Sequence, residues 1–233
     1  MNYPKYQINF MPEAFPGYCS TACLMGILNY FWYTTFNMKD TRDIIRLGLL
    51  WKYKHGDMLD QIDIAYCLYQ LWFKINIYYQ MSAADYDYML KEPVLAFKKT
   101  LIKSYHSAVQ WDTYTHTSWL KMKITSDLFM KIKNETSIEQ HFEVDFAKTI
   151  KKKQSENTLF LLGLDGYILL DEPYPSEGFV SWHVVLCSWF KDWYFQIYDS
   201  WPKNNPLQVD EGRLGLAMTK INQFMFISIT SNE

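Results

Sequence analysis

Charge of one sign is what this chain most lacks. Lys and Arg total 23 against 25 Asp and Glu, a formal net charge of −2. That excludes both the basic footprint of a nucleic-acid binder and a strong acidic field. Cysteine is scarce as well. The four residues Cys19, Cys23, Cys67 and Cys187 are too few and too scattered for a disulfide scaffold. No uninterrupted apolar run approaches the ~20 residues that a membrane-spanning helix needs, so no membrane span is expected. Met1-Asn2-Tyr3-Pro4-Lys5 has neither the charged start nor the apolar run of a secretory signal. A reducing, cytoplasmic setting is therefore the expectation, with export by an unconventional route left open. Repeats, low-complexity tracts and clear linkers are absent too. The 233 residues are ample for a sizeable core, and we read 1–233 as a single domain.

Aromatic side chains, by contrast, are abundant. They make up 18% of the chain, which suits a thick core with amphipathic rings at its edges. Residues 3–16 hold three prolines and no sustained period, an extended lead-in. Ala22, Cys23, Gly26, Ile27, Tyr30 and Phe31 recur at three- and four-residue spacing. This predicts a helix from about Cys19 to about Tyr33 with one apolar face turned inward. Further helices are expected over Thr41 to about Trp51, with Asp40 as N-cap, and from about Leu59 to Phe73. His55-Gly56-Asp57 breaks the chain between them. Lys74 to Tyr79 alternates and is β-rich, a short strand.

Between 81 and 155 the pattern is weakest. Helices are expected at 84–106 and 137–153, the latter closed by Lys151-Lys152-Lys153 as a helix C-terminus prefers, with a loop from Gln110 to Trp119. This region reads as a helical insertion or lid. The last third turns to strands: Leu159 to Leu162, Trp182 to Trp189, Trp193 to Tyr198 and Phe224 to Ile229, with Lys191-Asp192 as a hairpin turn. Helices first and antiparallel strands after describe an α+β fold, N-terminal helices packed on a C-terminal antiparallel sheet.

Cys19 stands at a helix start, where unpaired backbone N–H groups and the positive end of the dipole favour negative charge. Cys23, Cys67 and Cys187 fall on apolar patterns and read as core. A thiol nucleophile needs a base and a group to orient that base. His183 opens one strand and Asp199 ends its hairpin partner, before Ser200-Trp201-Pro202, which must leave the sheet. Pairing about the turn brings the two within a residue or two of register. His55, His106, His116 and His141 carry no such pattern. Cys19-x-x-x-Cys23 has no second ligand pair at a zinc-site spacing, so neither metal nor cofactor is expected. The pairs Asp171-Glu172 and Asp210-Glu211 read as solvated turns.

These residues resemble the papain-like cysteine peptidases, most closely the bacteriocin double-glycine leader peptidase-like family and its stand-alone relatives. In order and spacing, Cys19, Ala22, Leu24, Leu28, Tyr30 and Phe31 match the family's first motif. His183-Val184-Val185-Leu186 and Tyr198-Asp199-Ser200-Trp201-Pro202 match its second, and Phe224 to Ile229 its terminal strand after a short helix. The resemblance implies a papain-like fold and a Cys19-His183-Asp199 triad that cleaves a peptide or small amide through a thioester. It also implies half an oxyanion hole at the Cys19 backbone N–H. The family's glutamine, whose amide donates to the oxyanion about six residues before the cysteine, is here Glu13. Loss of one oxyanion donor typically costs ~100- to 1000-fold in rate. An acyltransferase using the same triad, and a degenerate domain that binds peptide without cutting it, are the alternatives.

Overall fold

A strand that is apolar on both faces needs cover on both sides, and the central strands here are of that kind. The computed structural model describes residues 19–32, 35–37, 39–41, 43–44, 61–91, 128–154, 157–174, 182–200, 206–220 and 225–231. Strands β1 (Lys74–Tyr79), β2 (Glu139–His141), β3 (Thr158–Asp165), β4 (Trp182–Lys191), β5 (Tyr194–Tyr198), β6 (Leu207–Asp210) and β7 (Met225–Thr230) form one sheet. Its order is β2-β1-β7-β3-β4-β5-β6. β1 and β2 run parallel and every other pair is antiparallel. The helices are α1 (Cys19–Trp32), α2 (Gln61–Gln70), α3 (Ala83–Lys91), α4 (Phe146–Lys153), α5 (Gly166–Leu170) and α6 (Glu211–Lys220). Residues 39–41, 43–44 and 128–134 are also helical. The fold is α+β.

Each face of the sheet has its own core. On the first, Ile77, Leu161, Leu186 and Ile227 meet Leu24 and Ile27 of α1 and Ile62 and Leu68 of α2. On the second, Phe160, Val185, Ile197 and Phe226 meet Ile150 of α4 and Leu214 and Met218 of α6. These side chains are at most 1% exposed, and each such burial contributes roughly 1.5–3 kcal/mol. The aromatic excess is spent here. Tyr79 lies 4.6 Å from Tyr86 and 5.0 Å from Phe142, and Tyr78 stacks on Phe226 at 4.9 Å.

Several local expectations change. The first helix does not bury one face only: Ser20 through Leu28 are all buried, so α1 is a central core element. Asp40 is not the cap of the following helix. Asn37 is, its side-chain oxygen accepting from the Lys39 and Asp40 N–H groups, while Asp40 reaches back to the Asn37 N–H at 3.1 Å. That reciprocal pair is a capping box. The helix expected over 137–153 is helical only from Phe146 on. Residues 139–141 add β2 beside β1, and α4 begins only after Asp145, whose carboxylate accepts from the Lys148 N–H. Lys151 to Lys153 close α4 as expected.

The β4–β5 turn is Asp192-Trp193, one residue later than read. Both have positive φ, 50° and 74°, the backbone of a two-residue turn that fits strand twist. Asp171-Glu172 and Asp210-Glu211 are exposed as expected, but the second pair ends β6 and opens α6, and Asp210 accepts from the Arg213 N–H. Asp171 and Glu211 pair with Arg213 and Lys151. The sheet is not confined to the C-terminal part, since β1 and β2 precede residue 142. The expected features at His55-Gly56-Asp57 and at 110–119 lie outside the described residues, as do His106 and His116.

Candidate active site

Three parts of the fold converge at one end of the sheet. Cys19 is the first residue of α1, half-buried, in a first turn that carries no acidic side chain. Four residues on, the Cys23 thiol donates to the Val184 carbonyl at 3.3 Å, which pins α1 to β4 immediately beside His183. His183 is the second residue of β4 and pairs with Leu164 near the end of β3. Asp199 follows the last residue of β5. The alternation of β4 sets His183 on the same face as Val185 and Cys187, whereas α1 packs on the other. Contact between Cys19 and His183 is therefore made around the end of the sheet, where β4 begins.

His183 is 4% exposed and Asp199 fully buried. The His183 Nε2–H donates to Asp199 Oδ1 at 2.5 Å. Burial of the ring pulls its pKa down. Hydrogen bonds to Asp199 and Cys19, and the charge these groups carry, together outweigh that and push it up to about 10. Near neutral pH the ring is thus held as an imidazolium between an acid and a thiol. A bare histidine buried to this degree would be neutral. The Cys19 Sγ also lies 3.9 Å from the Ser20 hydroxyl.

Of the three expected residues, His183 is hydrogen-bonded to Asp199, and Cys19 lies near enough to the same ring to raise its pKa. Glu13 lies outside the described residues. Cys23, Cys67 and Cys187 are buried in the two cores, and burial pushes Cys67, with the Asp63 charge beside it, and Cys187 up to about 12. His141 stacks on Tyr78 at 4.8 Å and faces Glu139, away from this site on the edge strand. No family model matches this chain, and a search of curated proteins finds no match.

Proposed function

We propose that this chain is a papain-like thiol hydrolase acting on an amide bond, with peptides as the leading substrate class. The single observation that carries the reading is the buried His183–Asp199 pair with Cys19 on the same ring. A structural histidine has no use for a helix-opening cysteine on one side and a buried carboxylate on the other. A helix that opens on the nucleophile and packs against an antiparallel sheet bearing the base and its acid is also the arrangement of the papain-like fold.

The chemistry follows from the contacts. Asp199 holds Nε2, so proton exchange with the thiol falls to Nδ1. With the ring already an imidazolium, Nδ1 holds the proton that Cys19 has given up, and Sγ attacks the carbonyl carbon as the thiolate. The carbonyl oxygen takes up the electron pair and faces the Cys19 backbone N–H, which a first helical residue has no intrahelical partner to satisfy. Collapse expels the amine with the proton from His183 and leaves a thioester. Water, deprotonated by the now neutral His183, then releases the acid and restores the thiolate beside the imidazolium. An amine or thiol in place of that water would make the same protein an acyltransferase, so the acceptor decides between the two.

A short pulse of iodoacetamide at pH 6, read by mass spectrometry, tests the proposal on wild type and His183→Ala. Cys19 should label far faster than Cys23 in wild type, and that advantage should collapse in the variant. Slow labelling, or labelling indifferent to His183, would leave a peptide-binding shell without chemistry.

A further inference from the structure

The β4–β5 ladder is broken once. Lys191 pairs with Tyr194, Phe190 with Phe195 and Trp189 with Gln196. Beyond the break Cys187 pairs with Ile197 and Leu186 with Tyr198. Ser188 is the extra residue, a β-bulge in β4.

Its consequence is a change of face. Without the bulge the register set by the turn would continue and place Asp199 opposite Leu186. Leu186 belongs to the core of the first face, and residues directly opposite share a face. His183, three residues from Leu186, would then point to the other side. With the bulge, Asp199 falls opposite Val185, in line with Phe195 and Ile197 in the core of the second face. His183 lies two residues from Val185 on that same face, a diagonal neighbour within reach of a side-chain contact.

The bulge is itself buried. Ser188 is 4% exposed and Tyr198 6%, and Ser188, two residues from the Leu186 that pairs with Tyr198, stands diagonally beside that tyrosine across the ladder. Tyr198 directly precedes Asp199, so Ser188 stands beside the last paired residue before the acid.

We propose that Ser188 and Tyr198 are positioning residues, and that a hydroxyl contact between them locks the β4 bulge in the register where Asp199 meets His183. The inference rests on the triad reading above. Neither residue touches the reacting atoms; they act through Asp199.

The test is an NMR titration of the His183 ring in the full chain, with iodoacetamide labelling of Cys19 at pH 6 alongside. Wild type, Ser188→Ala, Tyr198→Phe and Asp199→Asn are compared, the last as the reference for a ring without its acid. The lock predicts that both hydroxyl variants stay folded by thermal melt and shift the His183 midpoint downward, part of the way to that of Asp199→Asn. Cys19 labelling should slow in the same order. Hydroxyl variants that lose stability but keep the wild-type midpoint and labelling rate would make the contact ordinary packing and overturn the inference. An Asp199→Asn variant that itself leaves midpoint and labelling unchanged would overturn the triad reading instead, and this inference with it.

Discussion

Replacing Asp199 by Asn removes a charge while leaving shape and a hydrogen-bond acceptor in place, so its effect reports the electrostatics of the buried pair. The His183 pKa stands at about 10 against an ordinary 6.5. A group raised on folding contributes stability that is full below the unfolded value and is lost as pH rises through the folded value. The window for His183 is therefore about 6.5 to about 10. At about 1.4 kcal/mol per pH unit, wild type should lose on the order of 5 kcal/mol across it. Burial of both partners, 4% and 0% exposed, leaves little solvent to screen the pair. In Asp199→Asn the ring titrates near or below its ordinary value, so that slope should vanish. Urea unfolding of both proteins at pH 6, 7.5 and 9 gives the comparison, and titrations common to both cancel in the difference. Wild type should be the more stable by several kcal/mol at pH 6, the size expected for breaking a buried pair (about 3–5 kcal/mol), with the gap closing towards pH 9. A gap that stays constant with pH would refute the account, because the ring would then carry no proton that depends on Asp199.

Three further outcomes follow from the geometry. Trp193 is 83% exposed at a φ of 74°. That backbone costs an L-residue roughly 1–2 kcal/mol, so Trp193→Gly should raise stability by about 0.5–1 kcal/mol once the chain-entropy cost of glycine is set against it; a fall in Tm would show that the indole packs on a neighbour. Asn37→Ala should cost about 1 kcal/mol through the lost cap, whereas an unchanged melt would mean that the helix after it does not depend on Asn37. Native labelling at pH 8 should leave Cys67 and Cys187 untouched until urea exposes them, since burial pushes both thiols up to about 12; fast native labelling of either would contradict the cores described above.

The elements legible in the sequence were those whose burial writes a local pattern. Strands β3, β4, β5 and β7 announce themselves as apolar β-rich runs, and α1 as a helix by its spacing. What misled was a pattern with two causes. Ile138, Phe142, Phe146 and Ile150 recur every four residues and mimic one helix face. In the structure Ile138 and Phe142 pack into the first core, Phe146 and Ile150 into the second. The chain passes from one face of the sheet to the other within that run. β2 could not be read because Glu139-Gln140-His141 has no strand character of its own; pairing with β1 makes it a strand. The turn was misplaced because Trp193, a strand former by propensity, occupies a left-handed turn position.

The positions of the candidate site's residues were legible for a different reason. Cys19, His183 and Asp199 each stand at the end of an element, and ends are marked locally by a helix onset, a strand onset and a Trp-Pro exit. Their mutual geometry is not marked at all. Any two-residue hairpin turn without a bulge pairs odd-numbered residues with even-numbered ones. Turns at Lys191-Asp192 or at Asp192-Trp193 alike would then set His183 and Asp199 on opposite faces, however close in register. Only an odd insertion between turn and site reverses that. β4 hides its insertion, because Val184 to Phe190 is apolar on both faces except at Ser188, so no alternation exists for a bulge to interrupt. One polar side chain in a doubly buried strand, diagonally beside the tyrosine that precedes the acid, is the trace that the register change leaves in the sequence.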